Sequence, residues 1–367
     1  MKRITALLLA LCLLLCACGS QPEETQPVTE APTEAPTEIV TEAPTEAPTE
    51  PATEAPAVIR HPLTGEVLES VFTGRPTALV INNISVAMPQ SGISGADMLY
   101  EIETESGITR CLAIFTDFEG IGAIGPIRSA RTYFNNIATS YNAPLFHCGG
   151  SPMAKAAQYD ASGATLNNWV HVDQMANTQY FYRDQVRFNS GYAWEHTLYT
   201  TAENVLQCLA DKELNTVNEA GTDYGFSFSE EPEISGNAAN KVVMSFLGGK
   251  KTEFTYNAEA GLYDADQYGK DWLDAPAEKT LQFRNILALY APQQKISDGW
   301  DTRSFYELVG SGTGYFACDG KIVKINWHRE DLYGPFSYTL EDGTPLTLGV
   351  GKTYVGIASD RCDIDYE

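Results

Sequence analysis

Residues that carry metal or nucleophile chemistry are thinly spread through this 367-residue chain. It has 5 histidines, none at metal-ligand spacing, and it lacks His-Glu-x-x-His, Gly-x-Ser-x-Gly and Ser-x-x-Lys motifs. No cofactor or metal is therefore expected. Cysteine offers no Cys-x-x-Cys pair, and the five beyond residue 18 (Cys111, Cys148, Cys208, Cys318 and Cys362) form an odd, scattered set. That argues against a disulfide framework or a zinc site and for small buried apolar side chains. Basic charge is scarce as well. Lys2 and Arg3 are the only basic residues before residue 58, and nine glutamates precede it, so residues 58–367 carry 22 basic and 39 acidic side chains, a net charge of −17. Nucleic acid is not an expected partner of such a surface. The single long apolar run, from Ala6 to Leu15, is shorter than the ~20 residues that span a bilayer.

What is present at the start is a secretory signal. Lys2 and Arg3 precede the apolar run, and "LCAC" at 15–18 places small Ala17 before Cys18. Residues 1–17 read as a signal peptide and Cys18 as the lipidated residue, which puts the protein on the extracytoplasmic face of the cell membrane. A Thr-Glu-Ala-Pro repeat runs from 29 to 56 within a segment, 18–57, that has no basic residue. Regular proline and acid leave it no core, so it reads as a disordered stalk. Extended at ~3.1 Å per residue, it reaches on the order of 100 Å.

The remaining 310 residues divide by texture. "TALVIN" (77–82), "MLYEIETE" (98–105), "ITRCLAIFTDF" (108–118) and "APLFHCGG" (143–150) read as strands. The second and third are joined through Ser106-Gly107 as a hairpin. A helix of about 13 residues is expected from near Arg128. Another begins behind Ser151 as N-cap with Pro152 at its first position, and a third covers 202–214, capped by Thr200 with Glu203. This predicts an α/β domain over 58–225, a mixed sheet with flanking helices. From about 240 the pattern becomes alternating strands separated by turns such as "CDGK" and "EDGTP", which predicts a mostly β domain over 235–362.

Candidate functional residues cluster at predicted element ends. Arg128 and Arg131, three apart at a helix start, would share a face and hold an anion. Arg110 lies on a neighbouring strand. Asn82 and Asn83 end one strand and His147 another, followed by Gly149, Gly150 and Ser151, and ligands of α/β sheets bind at such ends. Glu101, Glu103 and Glu105 alternate with Met98, Tyr100 and Ile102. Glu101 and Glu105 are the candidate acid and base of a hydrolase, with His147 in proton transfer. The same carboxylates are equally ordinary salt-bridge partners for Arg110, Arg128 and Arg131. Within "FYRDQVRFNSGYAWEHTLYTT" (181–201), Arg183 and His196 stand among aromatics, which suits a sugar-stacking rim or a loop closing an interface. His328, in "NWHRED", is placed to face the same cleft from the second domain. "LTLGVGKT" (346–353) has Leu346 where a P-loop needs its first glycine and is set aside.

The strings "RPTALVINN", "PQSGISGADMLYE", "GITRCLAIF", "IGPIRSARTYF", "HCGGSP", "HTLYTT", "NWHRED" and "EDGTPLTLGVGKTYVGIAS" resemble the YerB-type lipoproteins of Gram-positive bacteria. That family is built from two consecutive domains of unknown function, and the resemblance covers about 61 to 359. It implies a lipid-anchored envelope protein with an α/β N-terminal and a β-rich C-terminal domain, and it brings no activity. The expectation is a tethered module binding an anionic cell-envelope ligand, such as a wall polymer, or an envelope protein. The alternative is a cell-wall hydrolase using Glu101 and Glu105.

Overall fold

The computed structural model describes residues 58–158, 170–218, 221–275, 278–297 and 302–367. The expected signal peptide, Cys18 and the stalk lie outside these residues.

Two apolar runs, one alternating stretch and a tight turn build the first three strands. β1 (Thr77–Asn83) lies antiparallel to β3 (Thr109–Phe115), and β3 pairs with β2 (Met98–Glu103). The β2–β3 hairpin turns at Ser106 and Gly107, both at positive φ (59° and 71°), as its twist requires. On the far side of β1 come Leu145–His147 and then His171–Asp173, both parallel.

The free edge of β2 is filled from the other end of the chain. Thr353–Ser359 pairs in parallel with β2 and, on its other side, in parallel with Asn285–Ala291. Gly310–Cys318 and Lys321–Arg329 follow, so one 11-stranded sheet runs through both halves of the sequence. The segments expected as two domains, 58–225 and 235–362, therefore share a single sheet, and Pro56–Glu367 forms one compact unit. The composition of Thr353–Ser359 explains its place: Tyr354 and Ala358 pack into one core, Val355 and Ile357 into the other. A strand apolar on both faces belongs in the middle of a covered sheet. The fold class is as expected, a mixed sheet with few helices in the first half and mostly β in the second.

A second, 6-stranded sheet, which includes Lys241–Ser245, Lys251–Asn257 and Leu262–Gln267, supplies Val242, Met244, Phe254 and Phe283 to the core that also holds Leu99 and Tyr354. Helix α1 (Thr132–Ser140) supplies Tyr133, Phe134 and Ile137 to the opposite core. β2 is consequently buried on both faces, its glutamate face included.

Two helix starts differ from expectation. The helix expected near Arg128 begins at Thr132, with Arg131 extended as its N-cap (φ −130°, ψ 159°). Residues 127–130 cannot be helical because their amides bond elsewhere: Ile127 N to Leu198 O (2.7 Å), Arg128 N to Val80 O (2.9 Å) and Ala130 N to Gly149 O (3.0 Å). The helix Ala202–Asp211 is capped by Thr201, whose Oγ1 accepts from Asn204 N at 3.0 Å, while the hydroxyl of Thr200 bonds Tyr180 O at 2.7 Å. Helix α2 (Pro152–Gln158) starts as expected, with Ser151 Oγ accepting from Ala154 N.

Candidate functional site

Three arginines meet where β1 ends and β3 begins. Arg110 lies opposite Asn82 in the register and is 4 % exposed. Its Nη1 donates to Ser129 O at 2.8 Å, and its buried Nε has no partner. Burial first, then Arg131 and Arg128 as like-charged neighbours, pull its pKa down to about 9. Glu105 nearby pulls the other way without outweighing them. Arg128 reaches the Glu195 carboxylate at 3.3 Å and also has a buried Nε without partner. Arg131 forks onto Glu105 at 2.5 and 2.7 Å, and Arg303 adds a further contact to that carboxylate at 3.1 Å. Arg110 arrives on β3 and the other two on residues 127–131, where the amides of 127, 128 and 130 bond to neighbouring segments, so the shared helix face expected for Arg128 and Arg131 is replaced by convergence of two chain segments.

His196 and Arg183 border this cluster. His196 is 4 % exposed; its Nδ1 is 3.0 Å from Asn82 Nδ2 and its Nε2 is 3.5 Å from Glu195. Burial, with Arg128 and Arg187 nearby, holds its pKa below the ordinary histidine value against the pull of Glu195. Arg183 stacks 4.4 Å from the centre of the Trp194 ring and has Arg128 as a like-charged neighbour.

Other expected members are engaged elsewhere. His147 is fully buried, with Nδ1 2.7 Å from Gly149 O and Nε2 3.0 Å from His171 Nδ1, and burial lowers its pKa. The glycine turn presents no free cradle at two of its amides, since Gly149 N donates to Asp173 and Ser151 N to Ala130 O. Gly150 pairs with Ala130 in a parallel bridge. His328 is exposed, bonded to Ser311 and Glu330. Its strand stands five places from β3 in the sheet order, roughly 24 Å at ~4.8 Å per strand, so it does not face the arginines.

The two proposed catalytic carboxylates are separated in environment. Glu105 leaves β2 for a turn and is held by Arg131 and Arg303. Glu101 has no exposed surface. It pairs with Lys250 and accepts from Asn83 (2.8 Å), Thr109 (2.6 Å), Thr252 (2.7 Å) and Tyr354 (2.8 Å). An acid-base role requires contact with a substrate, and this carboxylate is enclosed by the second sheet. Asn83 belongs to the same enclosed network, with Gln90 donating to its Oδ1 at 2.9 Å. Sequence reasoning missed Lys250 and Arg303, since nothing in "LGGKK" or "DTRSF" marks either as an interior partner.

Glu105 carries a pH signature. Burial alone would raise its pKa, but Arg131, with Arg110 nearby, holds it at about 2 against an ordinary 4.5. A lowered folded-state value stabilises above the unfolded pKa, and this is lost as pH falls from about 4.5 through 2. The expected loss, on the order of 2 kcal/mol after solvent screening, is absent in Glu105→Gln. Urea midpoints between pH 6 and pH 2 measure it; parallel curves for the two proteins contradict it.

A mixed sheet shared by two sequence segments, with an arginine cluster at one end, defines a two-part head of a single family. Residues 63–215 match the model described as protein of unknown function (DUF3048), N-terminal domain, and residues 242–355 match its C-terminal domain. The chain belongs to this family. It is 28% identical over 316 residues to "Putative lipoprotein YerB" of Bacillus subtilis (strain 168), which covers 82% of this chain and 87% of that one. The crystal structure of YerB protein from Bacillus subtilis is similar with a TM-score of 0.71 and 26% identity, over 84% of this chain and 99% of that chain. The resemblance read from the sequence is thus a family relationship, and the relative's name, "Putative lipoprotein YerB", is consistent with the lipidation expected at Cys18.

Proposed function

We propose that this protein is a lipid-anchored, extracytoplasmic binding protein whose head captures an anionic component of the cell envelope at Arg110, Arg128 and Arg131. The observation that carries the reading is Arg110: nearly fully buried, flanked by like charges, and with its Nε unpartnered. Arg131 is forked onto Glu105 and Arg128 reaches Glu195, so the donors left for a ligand anion are the unpartnered Nε atoms of Arg110 and Arg128. The signal peptide and Cys18 supply the address, and the acidic stalk supplies reach from the membrane. The enclosed state of Glu101 gives no support to the hydrolase alternative.

The test is sedimentation of residues 56–367 with purified Gram-positive sacculi at low salt, beside Arg128→Ala. Loss of a charge-assisted fork is expected to weaken binding roughly tenfold or more, with a steep salt dependence in the native protein. Equal retention of the two proteins would refute the reading. Soluble wall fragments released by the native head would restore the hydrolase.

A further inference from the structure

Beside the arginines stands an aromatic rim that the anion reading leaves unused. Trp194 is 55% and Phe188 45% exposed, and their rings meet edge to face at 5.6 Å. These side chains are displayed on a braced segment. Arg187 donates to Pro89 O (2.8 Å) and Ala87 O (2.6 Å) while lying over Tyr192, whose hydroxyl bonds Met88 O at 2.8 Å. Asp184 caps the short helix Gln185–Asn189 through Val186 N and Arg187 N. One stretch of chain thus grips the loop after β1 and holds two large apolar surfaces in water.

We infer that this rim is a sugar-stacking subsite, so that the anion held by the arginines is carried on a pyranose ring lying against Trp194. The inference rests on the anion reading above and specifies its ligand class. Three groups lie in sequence along the rim. Trp194, with the Arg183 guanidinium stacked on one face of its ring, is 55% exposed and would offer the other. Glu195, its side chain 57% exposed, offers an acceptor, and Arg128, paired with that carboxylate, offers a forked donor. A pyranose with one acidic substituent uses all three: its C–H face covers the indole, a hydroxyl donates to Glu195, and the acid reaches Arg128. The same carboxylate discriminates against other anions. A polyphosphate packs charge at every unit and is repelled by Glu195, and it has neither a C–H face nor hydroxyls along its chain. An acidic peptide likewise leaves Glu195 without a hydroxyl to accept from.

Calorimetric titration of residues 56–367, one compact unit, tests this with two probes. One is the disaccharide N-acetylglucosaminyl-N-acetylmuramic acid, and the other is sodium polyphosphate, a sugar-free anion. The variants are Trp194→Ala, Trp194→Phe and Arg128→Ala; Trp194 is exposed, so its replacement leaves the core intact. Trp194→Ala is expected to weaken the disaccharide at least tenfold and leave any polyphosphate binding unchanged, with Trp194→Phe recovering much of the loss. Arg128→Ala weakens both probes. Unchanged disaccharide affinity in Trp194→Ala, with the Arg128→Ala loss intact, overturns the sugar subsite and leaves the anion reading standing. Tighter binding of polyphosphate than of disaccharide overturns it too, and failure of both probes to bind the native head removes the two proposals together.

Discussion

Truncated after Val350, the head is expected to lose cooperative unfolding. Thr353–Ser359 is buried at every position and lies between β2 and Asn285–Ala291. Its removal opens a slot flanked by two rows of unpaired backbone groups and strips Tyr354, Val355 and Ile357 from two cores. At about 1.5–3 kcal/mol for each large apolar side chain and about 1 kcal/mol net for each lost hydrogen bond, the deficit is on the order of 10 kcal/mol. That matches the whole stability of an ordinary domain, roughly 5–15 kcal/mol. The same reasoning applies to residues 58–225 expressed alone, which lack the strand entirely. Near-ultraviolet circular dichroism and urea titration measure both. A sigmoidal transition from 58–225 at the native midpoint would establish the halves as independent folding units.

Replacing Lys250 with methionine is expected to cost about 3–5 kcal/mol, the penalty for leaving a buried charge without its partner. The ammonium pairs with Glu101 and sits 5.3–5.7 Å from the ring centres of Phe246, Trp272 and Tyr268, its side chain 3% exposed. Adding Glu101→Gln to Lys250→Met should recover part of the loss, because the orphaned charge is then gone. The pH dependence reverses as well. In the native protein burial pushes the pKa of Glu101 up, but Lys250 and the hydroxyl donors outweigh it and hold the value below the ordinary range. Its stabilisation is present above the unfolded pKa and lost as pH falls through the lower folded value. Without Lys250 the carboxyl takes a proton on folding, so the variant gains stability on acidification relative to the native protein. Urea midpoints at pH 7 and pH 4.5 report both effects, and a Lys250→Met midpoint within about 1 kcal/mol of native would show that the pair contributes little.

The parts of this fold that the sequence made legible were those decided locally. β1 follows from its apolar run, and β2 and the Ser106-Gly107 hairpin from alternation and turn chemistry within a few residues. The role of the glutamates on β2 was hidden because alternating acid marks a solvent face and an enclosed ionic face equally, and the deciding partner, Lys250, lies 149 residues away. Arg128 likewise looks like a helix start until residues 127, 128 and 130 are seen to bond Leu198, Val80 and Gly149, which leaves Arg131 as the N-cap. Their neighbourhood with Arg110 was readable, since those strands are adjacent in sequence. The distance of His328 was not, because it depends on which strands fill the sheet between. Nor did the change of texture near 225–235 disclose that the second segment returns a strand to the first.

That returning strand also fixes a schedule. A chain made from its N-terminus presents β2 and Asn285–Ala291 as open, unmatched edges until residue 359 has emerged. The head therefore closes at its centre only after the strands on both sides of the gap have been made. Until then the gap fits the corresponding strand of a second copy as well as its own, so slow emergence of this strand favours strand exchange between neighbouring chains.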